Sequence, residues 1–250
     1  MAKKIKKETS QIETTKAPFI QVKDIEKKYK TGKETFVHAL RGVSVDINKG
    51  EFVVIVGPSG SGKTTLLNLL GGMDTATTGQ LLVDGEDVTK MGDARLTKYR
   101  RDMIGFVFQF YNLMPNLTAI ENIELATEIR KNSLNPLEVL TQVGLLERKN
   151  NFPAQLSGGE QQRVSIARSV AKNSDIILCD EPTGALDYET GKKILKLLHD
   201  ICKNNGKTII LVTHNGALRD MADKVISIKN GLIESTTINN SPQDIADIEW

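Results

Sequence analysis

The chain has 250 residues, long enough to bury one sizeable core, and its 39% hydrophobic and 26% charged content is ordinary for a soluble globular protein. A net charge of +2 is too balanced to indicate a nucleic-acid-binding protein by itself. The longest apolar run, FVVIV at 52–56, is far shorter than the roughly 20 residues that span a bilayer, and the basic start MAKKIKK lacks the apolar segment of a signal peptide. Any role at a membrane would therefore need a partner that spans it.

The beginning of the chain predicts a polar tail followed by β-strands. Residues 1–17 carry five lysines against two glutamates, so we expect either a disordered, solvated tail or one weakly attracted to an anionic membrane surface. From Phe19 to Ile47, short alternating stretches such as VSVDI predict strands with one face in water. The segment LLVDGEDV at 81–88 predicts a hairpin with Asp-Gly at its turn.

Three segments of a different kind are continuous apolar runs. EFVVIVG, DIILCDE and KTIILVTH are typical of strands that are covered on both faces. Helical patterns alternate with them, and GKKILKLLHDICKNNG has one apolar stripe and ends at Gly206, a residue suited to a helix C-terminus. This alternation predicts an α/β fold with a parallel sheet.

Between about residues 110 and 172 the strands give way to helices. Thr118 and Glu121 form a capping-box pattern before an apolar helical segment. Asn135-Pro136 opens another short helix, which Gly144 ends. We therefore predict a helical lobe that is inserted into the sheet domain.

A phosphate-binding loop is indicated by GPSGSGKTT at 57–65, because it follows the strand at 52–56 and leads into a helical pattern. In such a loop the backbone N–H groups converge on phosphate oxygens. We expect Lys63 to reach the β- and γ-phosphates of a nucleotide, and the Thr64 hydroxyl to bind Mg²⁺. The predicted nucleotide-binding residues of this loop are Gly57, Pro58, Ser59, Gly60, Ser61, Gly62, Lys63, Thr64 and Thr65.

Polar side chains stand at the ends of three further strands. Asp180 ends one apolar run at the position that holds Mg²⁺, Glu181 follows it, and His214 ends another run. The carboxyl ends of parallel strands meet at the edge where open α/β sheets bind ligands. We therefore interpret Glu181 as the group that orients and deprotonates an attacking water, and His214 as a contact to the γ-phosphate. Gln109, at the junction with the lobe, is a candidate contact to the metal or to that water.

The segment LSGGEQQR at 156–163 predicts the start of a helix with Ser157 as its cap and Glu160 as the capping-box carboxylate. Gly158 and Gly159 occupy its first turn, where bare N–H groups can form an anion site. Because the loop at 57–65 already surrounds one nucleotide, we expect this site to cover the γ-phosphate bound to a second copy, in a two-fold symmetric dimer. The alternative is a plain capped helix, which leaves the paired glycines unexplained.

These motifs, in their order and spacing, resemble the nucleotide-binding subunit of an ABC transporter from about Phe19 to Glu234. The resemblance implies ATP and Mg²⁺ as cofactors, and Tyr29 as the aromatic that stacks on adenine, with Phe36 as a second candidate. An ordinary strand aromatic is the alternative for Tyr29. Asp187 matches the loop that passes between the two nucleotides of a dimer, and it can equally cap the next helix. The family usually has Ser where Gly184 stands.

The predicted fold class is therefore α/β, a P-loop NTPase with a parallel sheet core, an antiparallel β subdomain and an inserted helical lobe. We divide the chain into a Lys-rich tail at 1–17, an ABC ATPase domain at 18–235 with the lobe at about 110–172, and a C-terminal tail at 236–250.

The segments GFVFQ, NLMPNLTAIENIEL and EPTGALD look like the branch that releases lipoproteins, exports macrolides or acts in cell division. The resemblance implies a homodimer of ATPases at the cytoplasmic face of the membrane, driving a transmembrane permease for export or extracytoplasmic force transmission. The cargo would be of the lipoprotein, antimicrobial peptide or macrolide class. We expect the permease to contact Phe110 to Leu117, although these residues can also be lobe core. The alternative function is a soluble ABC ATPase acting on nucleic acid or the ribosome, but one cassette without a heptad run or basic patch favours no nucleic-acid partner.

Overall fold

The structure is a computed structural model that describes residues 17–32 and 34–249. The predicted Lys-rich tail lies, apart from residue 17, outside the described residues. The strands are β1 (Ile20–Lys30), β2 (Phe36–Ile47), β3 (Phe52–Val56), β4 (Thr78–Val83), β5 (Glu86–Asp87), β6 (Ile104–Val107), β7 (Ile176–Asp180), β8 (Thr208–Thr213), β9 (Lys224–Lys229) and β10 (Leu232–Ile238). The helices are α1 (Lys63–Leu70), α2 (Asp93–Met103), α3 (Ala119–Thr127), α4 (Pro136–Gln142), α5 (Gly158–Ala171) and α6 (Tyr188–Asn205).

The larger sheet has six strands in the order β10-β9-β3-β8-β7-β6. All neighbours pair in parallel except β9 and β10, which are antiparallel. Every residue of β3 is buried, as the continuous apolar run predicts for a strand covered on both faces. The predicted parallel sheet core is thereby confirmed.

The smaller sheet is antiparallel, in the order β2-β1-β4-β5. Its predicted hairpin joins β4 to β5 through Asp84 and Gly85, whose φ angles of 49° and 80° are those of a tight hairpin turn. Strand β5 has only two residues, so the hairpin ends soon after its turn. The antiparallel β subdomain is therefore also confirmed.

The predicted lobe contains α3, α4 and α5 and lies between β6 and β7 in the sequence. The Thr118 and Glu121 capping box is formed on both sides, and α4 begins at Pro136 with Asn135 as its cap. Helix α2 was not predicted, because its polar sequence buries only Leu96 and Tyr99 and shows no apolar stripe. None of the helices in the described part of the chain is both long and apolar enough to cross a membrane.

Two apolar cores lie on opposite faces of the larger sheet, because successive side chains of a strand point to opposite sides. Phe52, Val54 and Val56 face the core that is shared with the lobe and α6. Val53 and Ile55 face the core beneath α1 and the smaller sheet. The strands of the larger sheet thus contribute side chains to both apolar cores of the domain.

The end of the chain belongs to the same fold, which corrects the predicted domain boundary at residue 235. Strand β10 continues to Ile238, and the buried Ile245 and Ile248 lie in the core that contains α6. The Tyr188 hydroxyl donates a hydrogen bond to the Ile248 carbonyl, 3.2 Å away, and Lys192 Nζ donates to the carbonyl of Ala246 at 2.8 Å. Two buried isoleucines at this spacing are too few to form a periodic pattern that sequence analysis would detect.

A buried asparagine fixes the loop before α3. The side chain of Asn122 is fully buried, and its Oδ1 accepts a hydrogen bond from the Met114 amide at 2.8 Å. Its Nδ2 lies within 3.0 to 3.2 Å of the carbonyl oxygens of Met114, Leu117 and Thr118. One amide group therefore satisfies the backbone of an irregular segment that has no sheet or helix partner.

We predict that Asn122→Ala lowers the free energy of unfolding by about 1 to 3 kcal/mol, because it removes the side-chain partner of the Met114 amide and of the Leu117 carbonyl. Urea denaturation followed by circular dichroism measures this change. The matched control is Glu124→Ala on the same helix, where an exposed side chain is removed and we expect a change within about 0.5 kcal/mol. Equal losses in the two variants would show that Asn122 does not hold the loop.

Candidate active site

Three neighbouring parallel strands end at one edge of the larger sheet. The register pairs Val56 of β3 with Thr213 of β8, and Asp180 of β7 with Val212 of β8. The residues that follow these strands are therefore brought together, as predicted: the loop from Gly57, the Asp180–Glu181 pair and His214.

The loop at 57–65 has the geometry of a phosphate-binding loop. Gly60 and Gly62 have φ angles of 74° and 105°, which side chains rarely allow, and a Cβ at Gly57 would clash with the Ile228 carbonyl. Helix α1 begins after Gly62 without a side-chain cap, so the N–H groups of its first turn are left for an anion. Ser59 and Gly60 are exposed at the mouth of the loop, whereas Ser61 Oγ is buried without a hydrogen-bond partner.

The side chain of Lys63 lies inside the loop and links two of its carbonyl groups. That side chain is buried, and Nζ donates hydrogen bonds to the carbonyls of Gly57 and Pro58 at 2.9 and 3.0 Å. The ammonium group is thus held at the mouth of the loop, where a phosphate oxygen would replace a carbonyl as its partner.

The Thr64 hydroxyl, at the end of the loop, lies close to the Asp180 carboxylate. The Thr64 hydroxyl donates a hydrogen bond to Asp180 Oδ1 at 3.3 Å. Burial raises the pKa of Asp180, and the neighbouring Glu181 carboxylate adds to the rise, while Thr64 and Lys63 oppose it. Keeping a partly buried carboxylate ionised costs free energy, and a bound divalent cation would lower that cost. A hydroxyl and a carboxylate in this position therefore fit Mg²⁺.

Glu181 is held by donors on both carboxylate oxygens. Its Oε1 accepts from the His214 amide and pairs with His214 Nδ1, each at 2.9 Å, and its Oε2 accepts from the Thr213 hydroxyl at 3.2 Å. The backbone of Glu181 has a φ of 48°, a left-handed conformation that is uncommon for a residue with a side chain. Glu181 and His214, predicted to lie at the same sheet edge, are therefore in direct contact, which the sequence did not predict.

Gln109 follows β6 and reaches the turn after Glu181. A Cβ placed on Gly184 would lie 3.0 Å from Gln109 Nε2, so the two residues are in close contact. A side chain at 184, where the family usually has serine, would require the glutamine amide to shift slightly.

Tyr29 lies beside the phosphate loop on the smaller sheet. Its hydroxyl donates to Asp74 Oδ2 at 2.7 Å, and its phenol also interacts with the side chain of Thr65. Lys27 Nζ lies 4.8 Å from the ring centroid and pairs with Asp74 at 2.6 Å. Although burial opposes the change, the hydrogen bonds from Lys27 and Tyr29 lower the pKa of Asp74. Phe36, the second candidate, is half exposed at the start of β2.

The start of α5 forms the predicted capping box. The Glu160 amide donates to Ser157 Oγ at 3.3 Å, and the Ser157 amide donates to Glu160 Oε2 at 2.8 Å. The hydrogen bond from the Ser157 backbone lowers the pKa of Glu160. No hydrogen bond or ion pair of the described chain joins residues 157–160 to the loop at 57–65.

The two glycines of this turn are also closely packed against neighbouring side chains, which gives a second reason for small residues at these positions. A Cβ on Gly158 would lie 2.7 Å from the Tyr111 hydroxyl, and one on Gly159 would clash with the Thr190 side chain. Asp187 caps α6, accepting a hydrogen bond from the Thr190 amide at 3.0 Å. The helix start at 157 thus packs directly on the helix that Asp187 begins.

Sequence analysis missed Asp74, Lys27 and Thr213. Asp74 is 45 residues from Tyr29, and sequence spacing does not predict such a contact. Thr213 directly precedes His214 at the end of β8, so it could have been read as a second polar residue at a strand end already singled out.

Comparison with known proteins places this geometry in a family. The model of the ABC transporter family matches residues 40–184. An uncharacterized ABC transporter ATP-binding protein of Thermotoga maritima is 48% identical over 86% of this chain and 93% of its own length. The ABC transporter ATP-binding protein MJ0796 of Methanocaldococcus jannaschii is 46% identical over 86% of this chain and 95% of its own length.

Relatives of the predicted branch and solved structures agree with this placement. The macrolide export ATP-binding/permease protein MacB of Escherichia coli is 44% identical over 86% of this chain, which corresponds to 34% of MacB. A dimeric structure of the MJ0796 cassette bound to ADP and Pi, described as a post-hydrolysis state, has a TM-score of 0.80 and 43% identity, covering 88% of this chain and 98% of that one. With such relatives matching most of its length, the chain belongs to the ABC transporter ATP-binding proteins, and it is an ATPase.

Proposed function

We propose that two copies of this chain close around two ATP–Mg²⁺ and drive a transmembrane permease, for export or for force transmission to the far side of the membrane. The observation that carries the hydrolytic part is the Glu181 carboxylate, fixed by three donors at the sheet edge beside the phosphate loop. The export class, with a lipoprotein, antimicrobial peptide or macrolide as cargo, is supported by the likeness to MacB.

In this proposal residues 57–65 hold the phosphates of ATP. The backbone N–H groups and the uncapped start of α1 bind oxygens, and Lys63 exchanges its bonds to the Gly57 and Pro58 carbonyls for bonds to phosphate. Tyr29 stacks on adenine, and its hydroxyl bond to Asp74 fixes the plane of the ring.

Thr64 and Asp180 would hold Mg²⁺, with Gln109 as a further oxygen ligand or as a contact to the attacking water. When bound, the ion neutralises charge on the phosphates. Glu181 orients the water and takes its proton, because a carboxylate can accept a hydrogen bond from the water and then the proton itself. His214, whose side chain is 70% exposed, is free to leave Glu181 and donate to the γ-phosphate.

The second copy completes each site. Its residues Ser157, Gly158, Gly159 and Glu160 present the N-terminus of α5 to the γ-phosphate, and Asp187 lies between the two nucleotides. Support comes from the two structures of the MJ0796 cassette that are described as dimeric. After hydrolysis, release of the phosphate removes the group that joins the two copies, and the dimer then opens.

The permease contact is placed on the loop from Phe110 to Leu117. Phe110 is 76% exposed and Met114 is 47% exposed, whereas Leu113 packs against the core and is part of the lobe. Arg168 donates hydrogen bonds to the carbonyls of Tyr111 and Asn112, so the loop is anchored while its apolar tips face outward. Exposed apolar groups on an anchored loop suit a partner segment, and this contact would keep the chain at the cytoplasmic face of the membrane.

We predict that Lys63→Ala weakens ATP binding by about tenfold or more, because no other side chain replaces its charge inside the loop. Fluorescence titration with a labelled ATP analogue measures the affinity. The matched control is Lys98→Ala, which removes an exposed lysine from α2 and leaves the affinity unchanged. Wild-type affinity in Lys63→Ala would contradict the proposal that Lys63 binds the phosphates of ATP.

For Glu181→Gln we expect ATP binding to persist while the hydrolysis rate falls by about 100-fold or more, because the amide cannot take a proton from water. The trapped complex should elute as a dimer in size-exclusion chromatography with ATP and Mg²⁺, and as a monomer without them. A variant that turns over ATP at the wild-type rate would remove the catalytic assignment of Glu181.

Substitution of Phe110 by serine should abolish co-purification of a polytopic membrane protein from native membranes, while the ATPase rate of the purified chain stays at the wild-type value. Mass spectrometry of a gentle detergent pull-down measures the partner. Leu137→Ser, on the exposed face of α4, is the control and should retain the partner. Retention by both variants would move the contact away from this loop.

A further inference from the structure

Thr213 is a buried threonine whose hydroxyl lies between Glu181 and the turn that follows β8. It is 2% exposed, and its Oγ1 donates to Glu181 Oε2 at 3.2 Å and accepts from the Asn215 amide at 3.0 Å. We propose that Thr213 is a positioning residue that keeps the Glu181 carboxylate oriented during hydrolysis. The proposal rests on the role of Glu181 given above and adds a residue to which no role has been assigned.

The direction of the two hydrogen bonds is fixed by chemistry. A backbone amide can only donate, so the Asn215 N–H occupies a lone pair of the Thr213 hydroxyl. An ionised carboxylate can only accept, so the single hydroxyl proton goes to Glu181. This is a charge-assisted hydrogen bond, the stronger kind, and within the described residues the hydroxyl donates to no other acceptor.

The two oxygens of Glu181 are held by groups of different mobility. His214 holds Oε1 with its amide and its imidazole, and that side chain is 70% exposed. Thr213 holds Oε2 from the last residue of a fully buried strand, in register with Val56 of β3. When the imidazole turns to the γ-phosphate, the carboxylate keeps one donor on each oxygen: the His214 amide and the Thr213 hydroxyl.

The backbone of Glu181 is tied to the same strand. Its amide donates to the Val212 carbonyl at 3.0 Å, although the residue has the left-handed φ of 48°. Both the main chain and the carboxylate of Glu181 are therefore attached to consecutive residues of β8, Val212 and Thr213. Without the hydroxyl, the carboxylate would keep only the His214 amide bond at Oε1 once the imidazole leaves. One hydrogen bond leaves the terminal torsion of the carboxylate free to rotate about that contact.

A purely structural role for the Thr213 hydroxyl would be to support the turn at Asn215. Thr208 provides a matched control, because its buried hydroxyl accepts a hydrogen bond from the Gly50 amide at 2.9 Å at the opposite end of the same strand. Thr213→Val and Thr208→Val make the same chemical change in one strand, and only the first removes a donor to Glu181.

The experiment measures kcat and KM for ATP with saturating Mg²⁺ in Thr213→Val, Thr213→Ser and Thr208→Val. We expect Thr213→Val to lower kcat about tenfold with KM within about twofold, since a misdirected base impairs the reaction and not binding. Thr213→Ser keeps the hydroxyl and should stay within about twofold of wild type, as should Thr208→Val. Thr213→Ala replaces Thr213→Val if the valine variant does not fold.

A double-mutant cycle tests whether Thr213 acts through Glu181. In a Glu181→Gln background, adding Thr213→Val should change the residual single-turnover rate by less than about twofold. A full tenfold loss there, or wild-type kcat in Thr213→Val alone, would overturn this inference while leaving Glu181 as the base. Wild-type turnover in Glu181→Gln would instead overturn the proposed function itself, so the two failures are distinguishable.

Discussion

The in-register parallel pairing of β3, β8 and β7 is the constraint on which the active site depends. Each of these strands is buried on both faces, so a slip by one residue would exchange the two cores and displace every strand end. The residues proposed to bind and hydrolyse ATP are therefore those that directly follow the strands, where the register places them side by side. The two cores hold this edge in place from opposite sides of the sheet.

Sequence reasoning succeeded where the physical signal is local. A capping box, an Asp-Gly turn and a glycine-rich loop before a helix each depend on residues within a few positions of one another, and the structure contains all three. Apolar runs predicted the parallel strands, and strand ends predicted that Glu181 and His214 lie at one edge of the sheet, although their direct contact was not predicted. Contacts between distant segments left no such signal, as the bond between Tyr29 and Asp74 illustrates. Helix α2 was missed because polar residues cover most of its surface.

Glycines show how one residue type can satisfy two demands. The sequence offered an anion site as the reason for Gly158 and Gly159, yet the structure shows that Tyr111 and Thr190 leave no room for a Cβ at either position. Packing alone therefore requires small residues there, whether or not a phosphate binds. Gly184 is similar, since its missing side chain leaves space for Gln109.

The C-terminal segment makes the fold dependent on residues that carry no motif. Ile245 and Ile248 fill the core beside α6, and the carbonyls of Ala246 and Ile248 accept hydrogen bonds from Lys192 and Tyr188. During synthesis these side chains leave the ribosome after every nucleotide-binding residue, so α6 keeps an uncovered apolar surface until they arrive. A messenger that stops before Ile245 would encode the whole catalytic apparatus, yet its product would be removed by cellular proteases as an incompletely folded chain.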